Sequence, residues 1–528
     1  MKKEQIKNKA VKVKKTGLNA LVNLIFSRIM MTVIILLLQI GFLIWVFTLM
    51  GSYAKWVLYS LNILSAIIVV IVINSDENPA FKLTWMLPLC LIPVFGAVLY
   101  LFVRINPARA GMKKGLHRRI AETFGYLMPN EDVVQRMWEE NIPVTDLAYY
   151  IQNINGFPAY DKTKVEYFSN GEEKLADLIP SLEKAEKFIF LEYFIINPGR
   201  VWDEVLAVLE KKAAEGVEVR LMYDGFNSIL KLPRKYPETL KEKGINVKVF
   251  APVMPFLSTH QNYRDHRKIL IIDGKTAYNG GINLADEYMN YIERFGYWKD
   301  TAVKISGDAV KSFTAMFLQM WNMTSMEEED YNKYLLADCE PDMSGQNGIV
   351  IPYNDDPCNG QDVAEEVYLD ILNKAKDYVY IMTPYLVPEN EIITALRFAA
   401  QRGVDVRIIM PHIPDKKLTF AIGHTYYPQL LEAGVKIYEF TPGFVHAKMF
   451  LSDDVKAVVG TINLDFRSLY EHYECATFIY GNPVIGDIKE DFRRTFEQCQ
   501  RFTEEDYKKL PLLHRMGGKI FRLFAPLM

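Results

Sequence analysis

The sequence has few cysteines and no excess of basic residues. Its five cysteines are widely spaced and form no CxxC or Cys/His ligand pattern: Cys90, Cys339, Cys358, Cys475 and Cys499. We therefore predict neither a zinc site nor a catalytic thiol. The 61 lysines and arginines are balanced by 64 aspartates and glutamates, which gives a net charge of −3. Proteins that bind nucleic acid usually carry a marked basic excess, so we expect no nucleic-acid partner.

What the chain has in abundance is apolar residues, which make up half of its 528 positions. Three runs, 29–54, 56–75 and 83–103, contain no charged residue, and each is close to the length of about 20 residues that crosses a bilayer. They follow a tail, 1–28, whose first 15 residues hold seven lysines and one glutamate. Such a tail is typical of the cytoplasmic side of a membrane. We predict transmembrane helices within 29–104 and a multi-pass protein of the cell membrane.

The number of spans stays open, because the third run contains Pro88, Pro93 and Gly96. Both the tail and the segment after the third run are basic. The positive-inside rule places both on one face, whereas three full spans would place them on opposite faces. The third run is therefore either a full span or a kinked or re-entrant segment.

Beyond a linker, 105–156, the sequence contains a duplication, with copies at about 157–340 and 345–528. Each copy alternates amphipathic helical segments with β-branched runs such as VEVRLMY and VDVRIIM. Each of these helical segments is followed by a glycine, as helix ends prefer: Gly216, Gly244, Gly403 and Gly434. This alternation predicts an α/β fold of two lobes, each with a mostly parallel sheet flanked by helices.

One five-residue pattern occurs once in each copy with identical spacing. The first copy contains it in HRKILIIDGKTAYNGGIN: His266, Lys268, Asp273, Gly280 and Asn283. The second copy contains it 180 residues later (266 to 446) in HAKMFLSDDVKAVVGTIN: His446, Lys448, Asp453, Gly460 and Asn463. A pattern repeated at matched places of a duplication is far more specific than a single occurrence.

The spacing of the pattern suits chemistry on a phosphodiester. Histidine and lysine two residues apart on a strand point to the same side, so the lysine can hold a phosphate oxygen while the imidazole attacks phosphorus. Asn283 and Asn463, on the turns that follow, can donate further hydrogen bonds to phosphate oxygens. Asp273 and Asp453 lie at odd separations from the histidine and lysine, which predicts that they face away and have a structural role.

These residues match the HxKxxxxD signature, extended by GxxN, and the chain from 157 to 528 resembles the phospholipase D superfamily. The resemblance implies that the two motifs meet at one pocket across a pseudo-twofold axis. It further implies that His266 is the nucleophile and His446 the acid and base. A carboxylate would orient each imidazole, with Asp300 and Glu474 as the candidates. Neither a metal nor another cofactor is expected from this resemblance.

Within that superfamily, N-terminal apolar segments followed by two such lobes resemble the bacterial cardiolipin synthases. The implied reaction converts two phosphatidylglycerol molecules into cardiolipin and glycerol, with phosphatidylglycerol and anionic membrane lipid as partners. A phospholipase D that uses water, or a phosphatidyltransferase that uses another alcohol such as serine, would have the same motifs. An inactive membrane scaffold is disfavoured because both motifs are complete. The oligomeric state stays open.

Two further segments suggest contact with lipid. The apolar stretch Met254–Leu257, just before the first motif, could form a lip that admits acyl chains. The end of the chain, LLHRMGGKIFRLFAPLM, mixes basic and bulky apolar residues. Such an amphipathic end fits either an interface with anionic lipid or a terminal helix packed on its own lobe.

Overall fold

The computed structural model describes residues 41, 44, 54–104, 107–226, 231–233, 235–252, 263–325, 327–336, 347–358 and 360–527. The chain divides into two compact units, one made of 1–106, 228–230 and 252–261 and the other of 107–227, 231–251 and 262–528. The apolar run 29–54, apart from residues 41, 44 and 54, and the segment Met254–Leu257 lie outside the described residues.

The described residues of the first unit form the helices α1 (Ala54–Ile73), α2 (Pro79–Leu91) and α3 (Pro93–Arg104). The second predicted span corresponds to α1. The third is divided at Ile92, which leaves the helical conformation (φ −135°, ψ 68°) directly before Pro93, because a residue that precedes a proline is disfavoured in a helix. Of the two alternatives for the third run, a full span and a kinked or re-entrant segment, this break agrees with the kinked segment. Among the residues that the structure describes, no helix combines the length and the apolar character needed to cross a membrane.

Within the predicted linker, 105–156, residues 107–156 belong to the second unit and contain helices. These helices are α4 (Pro107–Thr123), α5 (Glu131–Glu139) and α6 (Thr145–Asn155). The buried guanidinium of Arg119 joins α4 to the first lobe, donating to the carbonyl of Asn322 at 2.9 Å and to that of Ser325 at 2.6 Å.

Within its described residues, the first lobe combines nine strands with five helices. The strands are β1 (Thr163–Phe168), β2 (Phe188–Tyr193), β3 (Glu218–Asp224), β4 (Asn246–Phe250), β5 (Arg264–Asp265), β6 (Lys268–Ile272), β7 (Thr276–Gly280), β8 (Tyr297–Lys299) and β9 (Ala302–Gly307). The helices are α7 (Gly171–Glu183), α8 (Arg200–Ala214), α9 (Tyr236–Glu242), α10 (Val310–Asn322) and α11 (Asn332–Leu335).

The second lobe repeats this pattern and adds a C-terminal extension. Its strands are β10 (Ile349–Asp355), β11 (Tyr378–Met382), β12 (Leu386–Val387), β13 (Asp405–Pro411), β14 (Lys436–Phe440), β15 (Gly443–Val445), β16 (Met449–Ser452), β17 (Lys456–Gly460), β18 (Leu464–Asp465), β19 (His472–Tyr480) and β20 (Cys499–Phe502). Its helices are α12 (Val363–Lys374), α13 (Asn390–Gln401), α14 (Lys417–His424), α15 (Tyr427–Glu432), α16 (Phe466–Tyr470), α17 (Val484–Phe496), α18 (Glu504–Lys509) and α19 (Leu512–Arg522).

The two main sheets have the same strand order, which establishes the duplication in three dimensions. The first sheet runs β1-β9-β7-β6-β2-β3-β4, and the second runs β10-β19-β17-β16-β11-β13-β14, with β20 added at its edge. Only the β2-β3-β4 and β11-β13-β14 neighbours are parallel, and the other pairs in each order are antiparallel. The prediction of a mostly parallel sheet was wrong, because each motif strand returns through a tight turn, and a tight turn joins antiparallel strands.

Burial of apolar side chains on both faces of the sheets fixes the position of the motif strands. All six residues of β2 and all five of β6 are buried. Helix α10, in which every residue but Lys311 is buried, packs between the first sheet and α4. Phe190 and Phe317 stack there with ring centroids 4.7 Å apart. The motif strands therefore lie on a rigid scaffold.

Candidate active site

Each motif histidine follows a short strand that pairs with the opposite lobe. His266 comes directly after β5, which pairs with the start of β19 in the second lobe, and its backbone N–H donates to the carbonyl of Tyr473 at 2.9 Å. His446 comes directly after β15, which pairs with β8 in the first lobe, and its N–H donates to the carbonyl of Lys299 at 2.7 Å. The same backbone pattern thus joins the lobes at both histidines.

A carboxylate from the opposite lobe binds each imidazole. His266 Nδ1 lies 2.8 Å from Glu474 Oε1 and 3.0 Å from Oε2, and His446 Nδ1 lies 2.6 Å from Asp300 Oδ2. Both carboxylates are fully buried. Because a carboxylate can only accept, Nδ1 of each ring carries the proton and Nε2 keeps its lone pair. The two candidate carboxylates therefore lie against the motif histidines, and their pairing is crossed between the lobes.

The two imidazoles are electrically neutral in this environment. Burial, followed by the ammonium groups of Lys268 and Lys448, lowers the pKa of His266 well below its usual value, and His446 adds to this effect. Burial and Lys448 lower the pKa of His446 to about 4, although the Asp300 carboxylate opposes this shift. Since each motif changes the pKa of the other's histidine, the two motifs form one electrostatic site. A neutral imidazole is the form that can attack phosphorus.

The motif lysines are buried beside these rings. Burial lowers the pKa of Lys268 to about 8, against the opposing effect of the Glu474 carboxylate, and lowers that of Lys448 to about 7, against the effect of Asp300. Each ammonium donates to the backbone carbonyl of the histidine two residues earlier in its own motif. A buried ammonium with a lowered pKa would be stabilised by a phosphate anion, so Lys268 and Lys448 are suited to binding a phosphate.

The motif aspartates accept hydrogen bonds from backbone N–H groups, which agrees with the structural role predicted from their spacing. Asp273 accepts hydrogen bonds of 2.7 to 2.8 Å from the N–H groups of residues 186–188, at the start of β2. Asp453 accepts bonds of 2.9 Å from those of residues 376–378, at the start of β11. Both aspartates have a positive φ, of 54° and 53°, in the turn that follows each motif strand. They fix the strands that carry the motif.

The two motif asparagines have different surroundings. The side chain of Asn283 accepts from the N–H of Ile195 at 2.9 Å and donates to the hydroxyl of Tyr288 at 2.8 Å. One of its two amide protons is therefore already used. Asn463 is buried, and its Oδ1 has no hydrogen-bond partner among the described residues.

The sequence reasoning did not identify Lys174, a third buried lysine of this site. Its ammonium, on α7, lies 3.3 Å from the carbonyl of Ile282 and 3.5 Å from the hydroxyl of Tyr193. Burial lowers the pKa of Lys174 to about 7. The carboxylate of Asp300 raises this pKa, whereas the charge of Lys268 lowers it further. The sequence held a signal, because Lys174 shares one helical face with Leu178 and Leu182 at a spacing of four residues.

The rings around the two histidines differ, and this difference was also missed. The His446 ring is surrounded by Tyr288, Trp298 and Phe444, with centroids 5.3 to 5.9 Å away. The His266 ring has Phe194 at 4.9 Å and a third imidazole, that of His472, at 5.4 Å. His472 stands two residues before Glu474 on β19, so an i, i+2 search around the orienting carboxylate would have found it.

Two clusters within the described part of the chain have side chains close enough to hold a metal ion. One consists of His266, His472 and Glu474, and the other of Glu365, Glu389 and Glu391. In the first, the Glu474 carboxylate already accepts from His266. The reaction implied by the motifs uses His266 of this cluster as the nucleophile.

Comparisons with known proteins agree with this geometry. A family model described as "Cardiolipin synthase, PLD-like domain" matches residues 178–321 and 368–498, which contain both motifs. A second model, "Phospholipase_D-nuclease N-terminal", matches residues 61–104. The chain is 33% identical over 487 residues to a cardiolipin synthase of Alkalihalophilus pseudofirmus, and the alignment covers 90% of this chain and 96% of that relative.

Two further proteins extend the comparison. A cardiolipin synthase of Geobacillus kaustophilus is 34% identical over 477 residues, covering 89% of this chain and 94% of its own. The crystal structure of a phosphatidylserine synthase of Haemophilus influenzae superposes with a TM-score of 0.53 at 16% identity, covering 72% of this chain and 98% of the other, and it shares the fold. With two lobes of this fold and both motifs matched by the family model, the chain belongs to the cardiolipin synthase family of phospholipase D-like phosphatidyltransferases.

Proposed function

We propose that the chain joins two phosphatidylglycerol molecules into cardiolipin and releases glycerol, through a phosphohistidine on His266. The observation that carries this proposal is the crossed pair of imidazoles. Each is neutral, each has its Nδ1–H held by a carboxylate of the other lobe, and each is influenced by the lysine of the other motif. Such a site offers one nucleophile and one proton carrier to a single phosphate.

In the first step, Nε2 of His266 attacks phosphorus while the bond from phosphorus to the glycerol oxygen breaks. A bound phosphodiester adds a negative charge next to Lys268 and Lys448, which favours the imidazolium form of His446. That imidazolium gives its Nε2 proton to the departing oxygen, and glycerol leaves. The phosphatidyl group remains on His266, whose Nδ1–H is held by Glu474.

In the second step, neutral His446 accepts the proton of a terminal hydroxyl on the second phosphatidylglycerol. The oxygen of that hydroxyl attacks phosphorus, the bond from phosphorus to His266 Nε2 breaks, and cardiolipin is released. His266 returns to its neutral form. His446 releases its proton to solvent once the phosphate has left, because its pKa then falls again to about 4, and binding of the next phosphodiester restores the imidazolium. Lys268 and Lys448 stabilise the charge of the phosphoryl oxygens in both transition states.

The N-terminal helices support a proposal that the enzyme is embedded in the cell membrane as a multi-pass protein. Helix α1 contains no charged residue between Trp56 and Ile73. Its outward face is strongly apolar, and four bulky side chains there are more than half exposed: Ile63, Ile67, Val70 and Ile71. An apolar face of this kind is costly in water and favourable in lipid. Extraction of the protein from membranes by detergent, but not by carbonate, tests this placement.

A product assay tests the reaction. The purified full-length chain, in detergent with phosphatidylglycerol labelled in its headgroup glycerol, should release labelled glycerol and form cardiolipin without any nucleotide. The double variant H266A/H446A is the control and should form neither product. Phosphatidic acid as the main product would instead identify a phospholipase D. Transfer to serine in preference to phosphatidylglycerol would identify a phosphatidyltransferase with another acceptor.

A further inference from the structure

The C-terminal helix α19 has one face that is packed on the second lobe. Gly518 lies so close to α14 that a Cβ atom there would stand 2.3 Å from the carbonyl oxygen of Ala421. One turn earlier, His514 Nε2 lies 2.9 Å from Nδ1 of the buried His424. One turn later, the guanidinium of Arg522 lies 3.9 Å from the ring centroid of Tyr426. These contacts, spaced by four residues, fix the helix along its length.

The opposite face of α19 is an apolar stripe, which we define as Leu513, Met516, Ile520 and Leu523. The spacing of three, four and three residues places all four on one side of the helix. Their exposed fractions are 87%, 52%, 56% and 58%. Single exposed apolar side chains are common on soluble proteins, but a contiguous stripe of bulky ones marks an interaction surface.

The charge around the stripe indicates the kind of partner. From residue 507 to the end of the chain the sequence contains no aspartate or glutamate, and it contains five lysines and arginines: Lys508, Lys509, Arg515, Lys519 and Arg522. An apolar helical face flanked by basic residues is complementary to an anionic bilayer, in which the stripe reaches the acyl chains and the cations reach the headgroups.

Helix α14 connects this surface with the active site. Lys416, which precedes α14, carries one of the charges that lower the pKa of His266. His424, which ends α14, is the residue bonded to His514. Eight residues of helix separate these two ends, a length of about 12 Å. Helix α14 thus runs from a lysine whose charge acts on His266 to the histidine that contacts α19.

We propose that α19 is an interfacial helix whose apolar stripe inserts into the surface of an anionic membrane, next to the site of phosphatidyl transfer. The proposal deepens the function proposed above and rests on its lipid substrate. The rigid packing of His514 and Gly518 on α14 transmits this contact to the second lobe. The helix thus holds the lobe against the bilayer in addition to any N-terminal anchor.

A photocrosslinking experiment on the full-length chain tests the contact without relying on activity. Benzoylphenylalanine is placed at Leu513, or at Phe398 as a matched control, since Phe398 is a solitary exposed apolar residue on α13 of the same lobe. In vesicles of phosphatidylglycerol and phosphatidylcholine, illumination should attach lipid at position 513 and not at position 398. Equal attachment at both positions, or crosslinks to a second copy of the chain, would overturn the proposal.

A rate comparison tests whether the contact matters for turnover. The variant L513S/M516S/I520S should form cardiolipin on vesicles at least about fivefold more slowly than the parent chain. With short-chain phosphatidylglycerol dispersed as monomers, this variant should form cardiolipin at the rate of the parent chain. The control variant F398S should match the parent rate on both substrates. Equal rates on vesicles, or equal losses on both substrates, would overturn the proposal. A parent chain that forms no cardiolipin from either substrate would refute the proposed reaction, while the crosslink at position 513 would still test the interfacial helix.

Discussion

Glu474 Oε1 and His266 Nδ1, which stand 208 residues apart in the sequence, lie 2.8 Å from each other across the boundary between the two lobes. The equivalent contact in the other direction joins Asp300 to His446 at 2.6 Å. Each motif histidine therefore takes its carboxylate from the opposite lobe. Duplication alone would have produced two sites with internal pairs, whereas this exchange makes a single site that exists only when both lobes are folded and docked.

The first prediction concerns these carboxylates. Replacing Glu474 by glutamine, or Asp300 by asparagine, keeps the size of the side chain but removes the charge that holds the Nδ1–H tautomer. We expect kcat to fall by about 100-fold or more in each variant, with a smaller change in KM. Steady-state rates of cardiolipin formation measure the effect. E490Q, which removes a carboxylate paired with Arg493 on the surface of α17, is the control. A loss below about fivefold in E474Q and D300N would contradict the orienting role.

The second prediction distinguishes the two histidines. A phosphatidyl donor with a nitrophenol leaving group does not need a general acid, so the first step should proceed without His446. H446A should then accumulate acid-labile phosphatidyl label on the protein, because no base activates the acceptor. H266A should accumulate none. Label that persists in H266A and is absent from H446A would reverse the two roles.

The sequence was sufficient to find the motifs, because the same residues recur with the same spacing in both copies. The strand geometry used to interpret the histidine–lysine spacing was only partly right: His266 lies between β5 and β6, and both His446 and Lys448 lie between β15 and β16. The structural role of Asp273 was readable in the same way, from its odd separation. The family resemblance then supplied the candidates Asp300 and Glu474, which the structure places against the rings.

The crossing of these carboxylates was not predictable, since it depends on two short pairings between the lobes. Strands β5 and β15 have only two and three residues, and such lengths carry no periodic signal.

The sheet class was misjudged for a related reason. The repeated β-branched runs correspond to the parallel strands, which are connected through helices. The hairpins that follow them have no helix between their strands, so these strands pair antiparallel. Lys174 was missed because a single lysine on an apolar helical face is easily read as a surface residue.

The third prediction separates the aspartates of the motif from its chemistry. Asp273→Ala removes the acceptor of three backbone N–H groups, two of them partly exposed. We expect the free energy of unfolding to fall by about 1–3 kcal/mol, with kcat per folded molecule changed less than about threefold. Denaturant unfolding of the purified protein measures the first quantity. E183A, at an exposed position of α7 in the first lobe, is the control and should cost less than about 0.5 kcal/mol. A D273A enzyme that is fully stable but inactive would show a catalytic role instead.

The fourth prediction follows from the buried lysines, which grip phosphate only while they are protonated. Burial lowers the pKa of Lys268 to about 8 and that of Lys448 to about 7. As the pH rises through this window the free enzyme loses these charges, so kcat/KM for phosphatidylglycerol should fall above about pH 7 to 8. The decline in kcat should begin at higher pH, because a bound phosphate anion stabilises both ammonium groups and raises their pKa values.

An arginine variant is the sharpest test of this pH dependence. Arginine stays charged throughout the range, so K448R should have a weaker alkaline decline in kcat/KM than the parent, even if its absolute rate is lower because the geometry differs. K489R, at an exposed lysine of α17 that pairs with Asp454, leaves the site untouched and should reproduce the parent profile. A parent profile that stays flat to about pH 9.5 would show that neither buried ammonium titrates in the free enzyme.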